Sequence, residues 1–78
     1  MGFEADGYGK LRWFDGTTYD GQWKQNLPNG NGTMKWPDGR QYSGEFVDGE
    51  RQGVGNFTDS EGHIFVKSCW LDDEMIEC

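Results

Sequence analysis

The feature that most constrains the fold of this chain is an ungapped repeat with a period of 23 residues. Large side chains follow this period, since Tyr19 and Tyr42 are succeeded by Phe65 in the same register. A fixed period of this length is typical of proteins in which one small unit stacks on the next. The sequence therefore predicts a repeat architecture. Glycines recur on the same period in three sets, which are Gly7, Gly30 and Gly53, then Gly9, Gly32 and Gly55, then Gly16, Gly39 and Gly62.

Each repeat has the pattern of a β-hairpin. Tyr19, Gly21 and Trp23 alternate with polar residues, and a period of two predicts a strand with one aromatic and one polar face. The segment 26–29, which contains asparagine and proline, is expected to reverse the chain before a second alternating strand over 30–36. Repetition of this unit predicts an all-β fold, a single-layer antiparallel meander of about six strands with a C-terminal cap.

The glycines inside the predicted strands need a physical reason, because glycine normally weakens a strand. Gly21, Gly32 and Gly44 share the face that carries Tyr19 and Tyr42. We expect each large ring to lie over the bare backbone of a neighbouring strand. A side chain at these glycines would then occupy the space of the ring.

The repeat divides the chain into segments. We assign 1–6 to a leader, 7–16 to a half repeat, 17–39 and 40–62 to full repeats, and 63–78 to a partial repeat with a capping segment. The last segment departs from the pattern, because Lys67 stands where glycine recurs and Cys69 stands where an aromatic residue recurs. Open arrays usually protect their end strands, so we expect this segment to form a cap. A short helix over 71–77 would need packing support.

The repeated motif resembles the MORN repeat, in which tyrosine, glycine and an aromatic residue alternate along one strand, followed by a turn, two spaced glycines and an Asp-Gly pair. Segments 19–39 and 42–62 are complete copies, and 7–16 is similar to the second half of another. The resemblance implies an array of β-hairpins. It implies little about function, because MORN repeats occur in membrane-associated junction proteins, plant phosphoinositide kinases and histone lysine methyltransferases. A regulatory fragment of such an enzyme is therefore one alternative.

The charge and the apolar pattern bear on partners and location. Seven basic and fourteen acidic residues give a net charge of −7, which repels nucleic acid phosphates, so we expect no nucleic acid partner. No apolar run reaches the roughly 20 residues that span a bilayer, and the chain starts without a secretion signal. We therefore expect a cytoplasmic protein.

Cys69 and Cys78 could form a disulfide, but the missing signal favours free thiols.

The sequence offers little for catalysis, which needs a nucleophile, a base and a group that orients the base. His63 is the single histidine, and its place beside Gly62 at a repeat boundary predicts a solvent-facing turn residue. The acidic residues after Leu71 lack the spacing of a calcium-binding loop. We therefore expect no enzymatic activity, no cofactor and no metal.

The aromatic face supports the first functional hypothesis, a scaffold module that binds a protein or peptide partner. The rings either pack on one another as the core or line a groove, because a single-layer sheet has no second layer to cover them. The predicted groove residues are Trp13, Tyr19, Trp23, Trp36, Tyr42, Phe46 and Phe57.

The polar face supports a second hypothesis. Lys10, Arg12 and Lys35 form a small basic row in repeat register, which could bind anionic phosphoinositide lipids at a membrane surface. The net charge opposes this interpretation. The exposed edge strands of an open array could also pair to form a homodimer.

Overall fold

In the computed structural model, which describes residues 6–78, seven antiparallel strands form one open sheet in chain order. The all-β, single-layer fold is thus confirmed, and a seventh strand comes from the segment predicted as a cap. No helix among these residues is long and apolar enough to cross a membrane. The strands are β1 (Gly7–Arg12), β2 (Thr18–Lys24), β3 (Leu27–Lys35), β4 (Gln41–Val47), β5 (Glu50–Thr58), β6 (Ile64–Leu71) and β7 (Glu74–Ile76).

The sequence repeat sets the register of the sheet. Gly21 lies opposite Gly32 across β2 and β3, and Gly44 lies opposite Gly55 across β4 and β5, one repeat further along. A shift in register follows each of these pairs, so both hairpins carry the same irregularity near their turns. The described sheet measures 42 × 24 × 16 Å, and its long axis reflects repeats that contact only their neighbours.

The turn of the first hairpin is shorter than expected from the sequence. Gln25 and Asn26 form it, both with positive φ, at 52° and 68°. Such a two-residue turn matches the twist of the flanking strands. Pro28 and Asn29 therefore lie inside β3, which starts at Leu27, and not in the turn to which they were assigned.

The aromatic face forms the core of the protein. Its rings meet edge to face in a continuous row, with centroids 5.0 to 5.4 Å apart. This geometry suits the quadrupoles of aromatic rings and adds stability beyond the area that is buried. A single layer of strands thus builds a core from rings that cover one another. The buried members are Tyr19, Trp23, Tyr42, Phe46, Phe57 and Trp70.

The structure confirms the predicted role of the strand glycines. A Cβ on Gly55 would lie 2.6 Å from Cε1 of Tyr42, well inside contact distance. The hydroxyl of Tyr42 reaches past this glycine and donates to the carbonyl of Glu45 at 3.0 Å. The equivalent Tyr19 hydroxyl donates to the carbonyl of Gln22 at 2.8 Å, and burial raises the pKa of Tyr19 to about 12.

Strand β6 restores the repeat pattern in a way that the sequence comparison missed. Lys67 has a φ of 56° and adds one residue to the strand, so Ser68 lies opposite Gly55 and Trp70 lies opposite Gly53. Ser68 thus takes the place of the repeat glycine, and Trp70, not Cys69, takes the place of the aromatic residue. The indole of Trp70 donates to Oγ of Ser68 at 2.8 Å, and this Oγ donates to the Gly55 carbonyl at 2.7 Å.

The C-terminal segment forms a strand where a short helix had been considered. Strand β7 pairs with the end of β6, with Met75 opposite Trp70 and Ile76 opposite Cys69. Cys69 and Cys78 form a disulfide, with their Cα atoms 5.5 Å apart, so the expectation of free thiols is wrong for this structure. The chain reversal after β6 brings the two cysteines together. The predicted leader, apart from Asp6, lies outside the described residues.

Candidate functional site

Three turns of the same type follow β1, β3 and β5 and connect successive repeats. The first residue of each turn donates its backbone N–H to the carbonyl of the fifth, as Trp13 does to Thr17 at 2.7 Å and Trp36 to Arg40 at 2.9 Å. In the third turn Asp59 takes the place of the tryptophan and donates to His63 at 2.9 Å. The sequence repeat therefore presents two equivalent tryptophans, each at the start of a turn.

Aspartates stabilise these turns and keep them charged. The carboxylate of Asp15 accepts the N–H of Thr17 at 2.9 Å, and this hydrogen bond lowers the pKa of Asp15. The backbone N–H of Arg40 has the same effect on the pKa of Asp38. At Asp59, burial raises the pKa, but hydrogen bonds from His63 and Glu61 outweigh it and the net shift is downward. The three aspartates are therefore ionised at neutral pH, and in the second turn the charge of Asp38 is balanced by its salt bridge with Arg40.

The first turn borders an apolar hollow of about 450 Å³, which we call the Trp13 hollow. It is lined by Trp13, Phe14, Asp15, Thr17 and Met34. Trp13 and Met34 are half-buried and pack against the edge of the core. Phe14 is fully exposed, at 108% of its reference accessible area. A large ring in water beside a half-buried indole is the kind of feature that marks a binding surface.

The equivalent position in the next repeat is covered. The guanidinium groups of Arg40 and Arg51 both lie 5.1 Å from the ring of Trp36, within the range of cation–π interactions. Arg51 also lies 4.2 Å from the ring of Trp70 and forms a 2.6 Å salt bridge with Asp73. Burial raises the pKa of Asp73, but the hydrogen bonds and the charge of Arg51 outweigh it, so this pKa is lowered overall.

Sequence differences explain why arginines lie over one of these half-buried tryptophans and not over the other. One period before Arg40 and Arg51 the chain has Thr17 and Pro28, which carry no cation. Trp13 therefore lacks the two guanidinium groups that lie over Trp36.

The structure separates the seven predicted groove residues. Five of the rings belong to the core and are not accessible to a partner, which agrees with the alternative that the rings pack on one another: Tyr19, Trp23, Tyr42, Phe46 and Phe57. Trp13 and Trp36 are half-buried, and the former lines the hollow. Phe14 and Met34, which also line the hollow, were not among the predicted residues. The sequence carried a signal for Phe14, because it is a large apolar residue at a position where the other repeats have the turn residues Pro37 and Ser60.

The predicted basic row is gathered on the polar face. Arg12 and Lys35 both lie beside Thr18 in the sheet, on opposite sides of β2. Lys10 lies opposite Asp20, whose side chain lines the same shallow depression as Lys10 and Lys35. The three cations thus share one face, and a carboxylate lies among them.

His63 occupies the turn position that the sequence predicted. Its side chain is exposed, and Nδ1 lies 3.0 Å from Oδ2 of Asp59. Within residues 6–78, no group of three or more histidine, cysteine or acidic side chains is arranged to hold a metal ion.

Comparison with known protein families matches the MORN repeat at residues 4–18, 19–39 and 42–64, well over half of the chain. The chain therefore belongs to the MORN repeat family. Comparison with curated proteins gave no significant match. The family assignment agrees with the seven-stranded meander and its aromatic core, and it specifies no partner.

Proposed function

We propose that this chain is a non-catalytic interaction module that holds a protein partner at the Trp13 hollow. The partner segment would place one apolar side chain between the rings of Trp13 and Phe14 and over Met34. The observation that carries the proposal is the full exposure of Phe14 beside an open apolar hollow. Trp36, the repeat equivalent of Trp13, is covered by two arginines and offers no such surface.

The hollow provides enough apolar surface for a useful contact. Complete burial of a phenylalanine side chain contributes about 1.5 to 3 kcal/mol, roughly a 10- to 150-fold effect on a dissociation constant. Trp13 loses little conformational entropy on binding because it is already held against Trp23, with the ring centroids 6.2 Å apart. A rigid indole beside an exposed ring is a favourable anchor for a single side chain.

Charge determines which segments we expect to bind. Asp15 lines the hollow, its pKa is lowered, and the whole chain carries a net charge of −7. A segment with lysine or arginine on either side of its apolar residue would be attracted, and an acidic segment would be repelled. We therefore propose a basic peptide segment with one apolar anchor as the partner.

The test is calorimetric titration of the full chain with a short peptide that carries a central leucine between lysines. We expect saturable binding that weakens at least tenfold when the leucine is replaced by alanine, and again when the lysines are replaced by glutamates. Phe14→Ala should weaken binding by a similar factor. Tyr8→Ala removes another exposed ring, outside the hollow, and should leave binding unchanged. Equal binding by wild type and Phe14→Ala would refute the proposal.

A second candidate is peripheral membrane binding through the basic row. It is favoured by the register that places Lys10, Arg12 and Lys35 on one face. Each cation near an anionic surface contributes about 1 kcal/mol, and Asp20 offsets part of that. Flotation with vesicles that contain phosphoinositides tests it. Binding that needs the anionic lipid, fades with salt and is lost in a Lys10→Glu, Lys35→Glu variant would support it, whereas no binding at low salt would exclude it.

A further inference from the structure

The two ends of the sheet are complementary halves of one repeat. Each complete hairpin pairs a strand whose second residue is aromatic, such as β4 with Tyr42, with a strand that contains the pattern glycine, any residue, glycine, such as β5. Strand β1 is of the second type, and no strand among the described residues pairs with its outer edge. Strand β6 is of the first type, and its outer edge pairs with β7 only at Cys69–Leu71. The edge of β6 over 64–66 is therefore open, whereas Sγ of Cys78 lies 3.4 Å from the carbonyl oxygen of Lys67.

The register inside the chain specifies how these two edges would meet. Across β4 and β5, Tyr42 lies opposite Phe57. Phe65 is the equivalent of Tyr42 in the next repeat, and Leu11 is the equivalent of Phe57 two repeats earlier. Leu11 and Phe65 are both substantially exposed, at 44% and 42%, and both lie on the aromatic face. The neighbouring pairs across β4 and β5 are Gln41 opposite Thr58 and Ser43 opposite Asn56. Their repeat equivalents place Arg12 opposite Ile64 and Lys10 opposite Val66.

The backbone of β1 has hydrogen-bonding groups that point outward. Trp13 donates its N–H to Thr17, so the backbone groups of Trp13 face β2. Alternate residues of an antiparallel strand direct these groups to opposite sides. The N–H and C=O groups of Lys10 and Arg12 therefore point away from β2 and are available to another strand.

The same reasoning applies to β6. The carbonyl of His63 accepts the N–H of Asp59 and thus faces β5. By alternation, the N–H and C=O groups of Ile64 and Val66 point away from β5. The outward residues of β6 are thus the ones that the repeat register places opposite Lys10 and Arg12.

The charges of the two ends favour head-to-tail pairing over pairing of like ends. Strand β1 carries Lys10 and Arg12 and no acidic residue. The other end of the sheet is acidic on balance: β6 contains Lys67, but Glu61 precedes it, and Asp72, Asp73, Glu74 and Glu77 lie around β7, of which Asp73 is paired with Arg51. Two β1 strands would place cations against cations, and two C-terminal ends would place carboxylates together, which is unfavourable.

We propose that β1 of one copy of this chain adds to the open edge of β6 in a second copy, so that the repeat continues from molecule to molecule. Such a contact uses two different surfaces and leaves one of each free, so it extends into open chains unless it closes into a ring. Strand β7 and Cys78 limit the contact to Lys10–Arg12, because Gly9 would lie opposite Lys67, which Cys78 contacts. The contact uses the outer backbone edge of β1, which ends at Arg12 next to Trp13, and not the side chains that line the hollow, and the inference goes beyond the proposed function.

Sedimentation equilibrium of the full, oxidised chain at physiological salt tests the proposal. We expect the apparent mass to rise with concentration from the 8.9 kDa monomer past the dimer. Lys10→Pro removes an outward N–H from an edge strand, where proline is tolerated, and should leave a monomer. Lys10→Ala removes the same charge but keeps the N–H, and should still associate. Val66→Pro and Val66→Ala form the matching pair on β6. Phe14→Ala should associate like the wild type.

A mixing experiment separates head-to-tail pairing from other arrangements. Lys10→Pro keeps a functional β6 edge and Val66→Pro keeps a functional β1 edge. Each variant alone should be monomeric, and an equimolar mixture should form a heterodimer of twice the monomer mass. A wild type that remains monomeric at all concentrations would overturn the proposal, as would self-association of Val66→Pro or a mixture of folded variants that stays monomeric.

Folding of each variant is checked by near-ultraviolet circular dichroism of the buried rings. If a proline variant is unfolded, the charge variant Lys10→Glu, Arg12→Glu takes its place, because both side chains are exposed and their reversal leaves the backbone intact. This variant should weaken association at least tenfold. Association equal to that of the wild type would overturn the proposal.

Discussion

Gly55→Ala tests the physical reason for the repeat of strand glycines. The new Cβ would lie 2.6 Å from Cε1 and 2.7 Å from the hydroxyl of Tyr42, whose side chain is fully buried. The ring would have to move, and its hydrogen bond to the Glu45 carbonyl would be lost. Overpacking of a core costs about 1 to 3 kcal/mol, and the hydrogen bond contributes about 1 kcal/mol. We expect a loss of about 2 to 4 kcal/mol in the free energy of unfolding.

Gly9→Ala is the matched control, because Gly9 occupies the same repeat position as Gly55. A Cβ on Gly9 would lie 3.5 Å from Nε1 of Trp23, an ordinary contact distance. Its effect should be within about 1 kcal/mol, since the indole of Trp23 stays at an ordinary contact distance and need not move. Urea denaturation followed by tryptophan fluorescence measures both variants. If Gly55→Ala is no more destabilising than Gly9→Ala, the account of the glycines is wrong.

Three further predictions concern the charged cover, the turns and the C-terminal strand. Arg51→Ala should destabilise the chain by about 2 kcal/mol in the same urea assay, because the Arg51 side chain is only 12% exposed and lies over Trp70. Arg40→Ala should cost less than about 1 kcal/mol, because the Arg40 side chain is 42% exposed. The pKa values of the turn aspartates and Asp73 lie below their ordinary 3.8 in the folded chain. Their stabilising contribution is therefore present above about pH 3.8 and is lost as the pH falls through the folded values. The melting temperature should be lower at pH 2.5 than at pH 5, and equal melting temperatures would contradict this. Cys78→Ser should speed hydrogen exchange of the Glu74–Ile76 amides while the amides of β4 keep their protection, and unchanged exchange in β7 would show that the disulfide does not hold this strand.

The repeat made most of the fold predictable, because the spacing of glycine and tyrosine fixes both the register and the face on which each ring lies. Gly55 and Tyr42 illustrate this, since they are thirteen positions apart in the chain and meet in the core as expected. The partial repeat was harder. One inserted residue at Lys67 shifts the pattern, and a comparison without gaps assigned the aromatic position to Cys69 instead of Trp70.

The candidate site was predicted in part. Alternation in the strands identified the aromatic face, but it could not distinguish rings that cover one another from rings that remain open. That difference depends on neighbours distant in sequence, since Trp36 is covered by Arg51 from β5 while Trp13 is not covered. The missing secretion signal favours free thiols, whereas the structure forms the disulfide because β7 returns along β6.

Binding at the Trp13 hollow is tested by a titration of the ¹⁵N-labelled chain with the lysine-flanked leucine peptide, followed by NMR. The four tryptophan indole N–H signals report on the hollow and on the covered positions at once. The account predicts a saturable shift of the Trp13 indole and of the Phe14 and Thr17 amides, with the Trp36 indole unchanged. Shifts centred on Trp36, or no shifts at a peptide concentration that saturates binding in calorimetry, would contradict it.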